Sequence, residues 1–173
     1  MDNEQLMTEL LESSNYNTLL DSTTEFVRTY IKKLVWDVLT HVDASIAIGD
    51  IELLTTYSSG LELSQEITGI PTAYSAIDGE IDTLTAFSEQ YAHLGISEYD
   101  TLAREAILDF LNLHNGLFVS LLSRLNKYEL GLAVPKQSGS FSLTSPVTGK
   151  ITIIPITFSF GTVRFLLYEL PLN

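Results

Sequence analysis

The sequence predicts an α+β fold, a mostly antiparallel sheet packed against long helices, on three observations. Leu102 to Leu125 carries apolar residues at helical spacing along its whole length. Phe26 to Leu39 repeats that spacing. From Ala44 to Phe87 the period shortens towards two, and from Glu129 onward strand-like runs are separated by glycine turns, the last of them rich in β-branched and aromatic residues. Helices and an antiparallel sheet each have an apolar face to bury, and laying one on the other satisfies both.

Asp2 to Glu12 carries Leu6, Leu10 and Leu11 at helical spacing, and Ser13 to Asn17 reads as a loop. Residues 1–21 are expected to form a short acidic N-terminal segment and residues 22–173 the domain. Ser22 with Glu25 three residues on has the form of a capping box, opening a helix that carries Phe26, Val27, Tyr30, Ile31, Leu34, Val35, Val38 and Leu39 to about Thr40. Arg28, Lys32 and Lys33 share its polar side and read as a solvated face. Strands are expected at 45–49 and 51–57, broken by Gly49-Asp50. Pro71 demotes part of Ile67 to Ile77 to an edge or a strand start. Asp78-Gly79 is a tight-turn signal, so a hairpin to Ile81–Phe87 is expected, followed by a short helix from Ser88 to His93 ending at Gly95. Asp100 is the expected N-cap of the long helix, which must stop before Pro135, near Lys127. Strands follow at 129–134, 140–144, 151–158 and 163–170, the last a central or long edge strand.

A chain of 173 residues with 45% apolar content fits one domain with a sizeable core. Nine Lys and Arg against 22 Asp and Glu give a net charge of −13, which repels nucleic-acid phosphates and anionic membranes and favours a partner with a basic surface. Without cysteine, disulfides and thiolate metal sites are excluded. Met1 to Leu20 lacks the basic start and apolar run of a signal peptide, and no stretch approaches about 18 uninterrupted apolar residues. A cytoplasmic protein is expected.

Chemistry concentrates on the long helix. One side gathers Ala103, Ile107, Phe110, Leu111, His114, Leu117, Phe118, Leu121, Leu122 and Leu125. Opposite, Glu105, Asp109, Asn112 and Gly116 fall within an arc roughly 60° wide. An amphipathic helix has such a polar ridge for solubility alone. Asn112, Asn115 and Gly116, however, each cost up to about 1 kcal/mol relative to alanine within a helix, where solubility needs only Glu, Lys or Gln. Other chemistries find little support. His41, His93 and His114 lack the pairing of a zinc site, and His114 lies on the apolar side. Gly149-Lys150 lacks the rest of a phosphate-binding loop, and no Gly-x-Ser-x-Gly elbow occurs. Glu105 and Asp109, one turn apart, could act as an acid and base pair, although exposed carboxylates at that spacing are usually just solvated.

The run Asp109-Phe-Leu-Asn112-Leu-His-Asn115-Gly116-Leu-Phe resembles the signature of the CheX, CheC and FliY family of chemotaxis phosphatases, whose core motif is Glu-x-x-Asn with a Gly on the next turn. The Asn-Gly-Leu-Phe extension resembles a CheX-like subgroup. The family pattern has a Ser or acidic residue four positions before its Glu, and Glu105 stands there. Where the family has Glu, this chain has Asp109, one methylene shorter. The resemblance implies a CheX-like fold, catalytic roles for Asp109 and Asn112, and partner-binding roles for Glu105 and Gly116. It implies a phosphorylated CheY-like receiver domain as substrate and a homodimer as a further association. The receiver would supply its own Mg²⁺ and lysine, so no cofactor of this chain's own is expected. CheC-type members carry the motif twice; Phe26 to Thr40 contains no Asn, so one site is expected. Two other readings of the ridge are a module that binds a receiver without hydrolysis and a structural domain that dimerises through sheet edges.

Overall fold

The computed structural model describes residues 1–125 and 128–171. In chain order these form α1 (Asn3–Ser13), a 3₁₀ segment (Tyr16–Ser22), α2 (Glu25–His41), β1 (Ala47–Ile48), β2 (Glu52–Leu54), β3 (Thr56–Ser59), β4 (Glu62–Gly69), β5 (Ala73–Asp78), α3 (Ile81–Ala92), α4 (Thr101–Arg124), β6 (Leu130–Leu132), β7 (Lys136–Ser138), β8 (Phe141–Thr144), β9 (Ile151–Phe158) and β10 (Gly161–Glu169). The main sheet is antiparallel and runs β1-β9-β10-β5-β4-β6, with β2 also on β9 and β7 also on β4. The expected α+β architecture is the observed one.

Side chains alternate across the central strands, so both faces of the sheet are used. Ile154, Ile156 and Phe158 of β9 and Val163, Phe165 and Leu167 of β10 join the core shared with α2, α3 and α4. Ile151, Ile153, Leu166 and Tyr168 point the other way, under the two-stranded β3–β8 ribbon with its Tyr57, Phe141 and Leu143. Two buried carboxylates lie on this side of the sheet, Asp78 bonded to the ribbon and Glu62 to neighbouring strands of the main sheet. Asp78 accepts from Ser59 Oγ at 2.7 Å and from the Tyr57 hydroxyl. Glu62 accepts from Tyr74 Oη at 2.6 Å and from Ser138 Oγ at 2.9 Å. Burial opposes the charge on Glu62, yet the hydroxyl donors and Lys136 hold its carboxyl below the usual range.

The long helix spans Thr101–Arg124, with Asp100 Oδ1 accepting from Ala103 N at 2.9 Å as its N-cap. It is long and apolar enough to cross a membrane by length and composition, but Ile107, Phe110, Leu111, Phe118 and Leu122 are fully enclosed in the core. Its apolar side differs in part from the expected one: Leu117 and Leu121 are only half-buried and Leu125 is exposed, while Ala106 and Asn115 are buried. The expected stop near Lys127 lies outside the described residues.

Several local expectations fail. The N-cap of α2 is Thr24, whose Oγ1 accepts from Val27 N, rather than Ser22. The expected loop at 13–17 is reduced to a turn at Ser14 and Asn15, and the 3₁₀ segment begins at Tyr16, which is buried in the core. Ile81–Phe87 is the first part of α3 and not a strand. Both edges of β5 are occupied, by β4 and by β10, with Arg164 facing Asp78, so a strand following the Asp78-Gly79 turn has no edge to join. Thr83, Leu84, Phe87 and Ser88 are buried at helical spacing instead. The hairpin lies one connection earlier, between β4 and β5, with Pro71 in its turn. The expected strand at 129–134 is the shorter β6, and β7, beyond Pro135, was not expected. The N-terminal segment contributes Leu11 and Tyr16 to the main core.

Candidate functional site

α4 lies along β4 and β6 with its ridge outward, leaving Glu105, Asp109 and Asn112 exposed and Gly116 half-buried. Asp109 and Asn112 are three positions apart, roughly 4.5 Å along the helix axis. Neither side chain hangs loose. Tyr91 of α3 donates its hydroxyl to Asp109 Oδ2 at 2.6 Å, while its ring packs edge-on against Phe110 at 5.3 Å. Burial, then the Asp109 hydrogen bond and charge, push the Tyr91 phenol well above its ordinary value, so it is a donor at neutral pH. Asp109 Oδ1 has no hydrogen-bond partner among the described residues and remains available to a cation.

The turn after α3 closes one end of the ridge's surroundings. His93 takes the left-handed conformation at φ 53° and ends the helix, and Glu89 Oε1 accepts from Leu94 N at 3.0 Å and Ile96 N at 2.9 Å. The result is a groove of about 550 Å³ beside the ridge, lined by Tyr91, Leu94, Leu102, Glu105, Asp109 and His41 among others. Glu105 lies in the groove wall one helical turn from Asp109. A Cβ built at Gly116 would meet only Leu132 Cδ1, at 3.9 Å, so the fold's own packing does not demand a glycine there.

Asn112 is tied to the sheet. Gln65 Nε2 donates to Asn112 Oδ1 at 2.7 Å and to the Ala133 carbonyl at 2.9 Å. Gln65 Oε1 accepts from Asn115 Nδ2 at 3.0 Å, and Asn115 Oδ1 accepts from Ser75 Oγ at 3.3 Å. Ser75 Oγ meets Tyr30 Oη at 2.7 Å. Gln65 and Ser75 are opposed partners on β4 and β5, so the sheet register itself sets a polar pair beneath Asn115. Asn115 is fully buried and makes hydrogen bonds only within the fold.

His114 joins a second buried group, with Nδ1 at 2.7 Å from Asp37 Oδ2, while Lys33 Nζ lies 2.9 Å from Asp37 Oδ1. A carboxylate can only accept, so Nδ1 carries the proton. His114 Nε2 has no partner among the described residues. Burial first, with Lys33 adding to it, holds the imidazole pKa below the ordinary histidine value, against the pull of Asp37. The unfolded chain therefore binds more protons than the folded one below about pH 6.5, and stability is full above that pH and is lost as pH falls through it. His114→Gln, which keeps a donor for Asp37, is expected to flatten this dependence. Urea midpoints at pH 7.5 and 5.5 measure it, and an equal fall in both proteins would remove the role of His114.

Of the predicted site residues, the fold brings Asp109, Asn112, Glu105 and Gly116 onto one surface. Tyr91 and Gln65 were not anticipated. The sequence does hold a signal for Gln65, which interrupts the apolar alternation of Leu63 and Ile67. Among the described residues no three His, Asp or Glu side chains converge as a metal site.

A mostly antiparallel sheet backed by long helices is a CheX-like architecture. The chain has that fold. A CheC-like superfamily protein from Shewanella sp. PV-4 superposes with a TM-score of 0.68 at 15% identity, over 84% of this chain and 97% of that one. CheX from Desulfovibrio desulfuricans gives 0.65 at 13% identity, over 83% and 98%. CheX from a CheX–CheY–BeF₃–Mg²⁺ complex of Borrelia burgdorferi gives 0.67 at 11% identity, over 86% and 100%. No protein-family model matches the sequence, and no curated protein matches it.

Proposed function

We propose that this chain is a cytoplasmic phosphatase that hydrolyses the aspartyl phosphate of a CheY-like receiver in chemotaxis or two-component signalling. The observation that carries the reading is the pairing of an exposed Asp109 and an exposed Asn112, each oriented by a hydrogen bond from another element. The CheX–CheY complex among the similar structures supports a partner of this kind. The receiver brings Mg²⁺ and a lysine that neutralise the phosphoryl group, and what it lacks is an oriented water. Asn112 Oδ1 has two lone pairs, one taken by Gln65, and the other can accept from that water. Its N–H can donate to a phosphoryl oxygen. Water oxygen then bonds to phosphorus as the acyl C–O–P linkage opens on the phosphorus side, and the receiver's aspartate leaves as carboxylate with inorganic phosphate as product. Asp109 Oδ1 meets the receiver's lysine and fixes the approach, and Gly116 lets the partner backbone come close.

A second reading, a receiver-binding module with slow or no turnover, is favoured by one feature. Asp109 is a methylene shorter than the family's Glu, roughly 1 Å of reach, and a misplacement of that size can cost about a hundredfold in rate. Asp109→Glu separates the two, measured as acyl-phosphate decay on receivers from the same genome. The impaired-site reading requires activity to rise towards that hundredfold. A fall supports the enzyme in which the helix docks closer, because the longer side chain then overreaches.

A further inference from the structure

We propose that Gln65 is the positioning residue for Asn112, fixing which end of its carboxamide faces the partner; this rests on the reading of Asn112 as the group that orients water. Carboxamide oxygen and nitrogen are near in shape, so the orientation has to be argued from partners whose role is fixed. The Ala133 carbonyl is such a partner, since it can only accept. It therefore turns Gln65 Nε2 toward itself at 2.9 Å, and the same nitrogen reaches Asn112 at 2.7 Å, so the atom Asn112 presents inward must be its oxygen. The other end of Gln65 confirms the direction. Its Oε1 accepts from Asn115 Nδ2, whose own Oδ1 takes the Ser75 hydroxyl, leaving Tyr30 to donate to Ser75. Every polar atom in this chain has one consistent role, and reversing Asn112 alone would set two N–H groups against each other.

The location reinforces the inference. Gln65 is 1% exposed, Ser75 and Asn115 are fully buried, and all three lie where β4, β5 and α4 otherwise pack Leu63, Ile67, Ala73, Ile77 and Leu111. A helix and sheet that only need to pack have no use for a row of amides and hydroxyls at their interface, since each must be satisfied on burial. The row leads from the core to one exposed side chain, Asn112. Anchored in that way, Asn112 starts each encounter with N–H pointing outward and a defined oxygen lone pair beside it. Donation by Gln65 also polarises the amide, strengthening the outward N–H as a donor.

The test uses the full-length protein with CheY-like receivers, phosphorylated by acetyl phosphate for turnover and loaded with beryllofluoride for binding. Gln65→Met is nearly isosteric and removes the clamp. It is expected to lower kcat at least about tenfold while KM and the receiver Kd stay within about threefold. In an Asn112→Ala background the same change should alter the rate by less than about twofold, because its effect passes through Asn112. Gln65→Glu is expected to turn the Asn112 amide over, since a carboxylate only accepts, and to lower kcat as well. If the buried charge prevents folding, Gln65→Met carries the comparison. The direct readout is the ¹H–¹⁵N heteronuclear NOE of the Asn112 side-chain amide, expected to be that of a rigid group in the parent and to fall to the value of exposed Asn17 in Gln65→Met. An Asn112 amide as mobile as Asn17 in the parent overturns the proposal, as does an NOE that survives Gln65→Met or rate effects that add in the double variant. If the parent accelerates decay on no receiver, the phosphatase reading fails by itself, and the NOE comparison still decides whether Gln65 holds Asn112.

Discussion

Asn112→Ala is expected to reduce acyl-phosphate hydrolysis by at least about a hundredfold, since it removes both the water acceptor and the outward N–H at once. The fold should survive it. Asn112 is exposed, and Gln65 Nε2 keeps the Ala133 carbonyl as a partner when the side-chain oxygen is gone. The lost hydrogen bond, about 1 kcal/mol, is offset in part by the higher helix propensity of alanine, by about 0.6 kcal/mol. Receiver binding should weaken little, because Asp109 and the groove beside it are untouched. The measurement is decay of a phosphorylated receiver with parent or variant, alongside binding of the beryllofluoride-loaded receiver. A variant as fast as the parent removes the proposed role of Asn112, and a variant that unfolds contradicts the exposed position of the ridge.

Asp37→Ala is expected to have the largest effect on stability, a loss of about 3 kcal/mol. Asp37 is fully buried and stands between Lys33 and His114. Its removal leaves the His114 Nδ1–H with no acceptor in an enclosed site and a Lys33 ammonium without its counter-ion. The side chain of Lys33 is 17% exposed and can turn towards water, which keeps the loss at the lower end of the range for a broken buried pair. For a chain of this size the change corresponds to a melting temperature lower by roughly 6–12 °C. Asp37→Asn retains an acceptor for His114 and loses only the charge, so a smaller drop is expected. Calorimetry on both variants checks this, and a melting temperature for Asp37→Ala within about 2 °C of the parent would mean that the group adds nothing to the fold. Since His114 shares α4 with Asn112 and Asn115, the same variant reports how firmly the ridge is held from behind.

The sequence by itself determined the α+β class, the start of α4 at the Asp100 cap, and the exposed line of Glu105, Asp109 and Asn112. These follow from helical periodicity, which depends on residues three and four apart and needs no knowledge of the rest of the chain. Tertiary structure decided the remainder. Ile81–Phe87 has the β-branched residues of a strand, but β5 offered it no edge, and Leu84 and Phe87 could reach the core only from a helix. Asn115 carries a propensity cost mid-helix and reads as a hydrogen-bonding or packing residue, but its partner Gln65 lies 50 positions away. Asn112 meets the same glutamine across 47 positions, and His114 meets Asp37 across 77. Whether a buried polar group is satisfied depends on which distant strand or helix arrives beside it. That is set by sheet register and helix docking, and no local pattern encodes it.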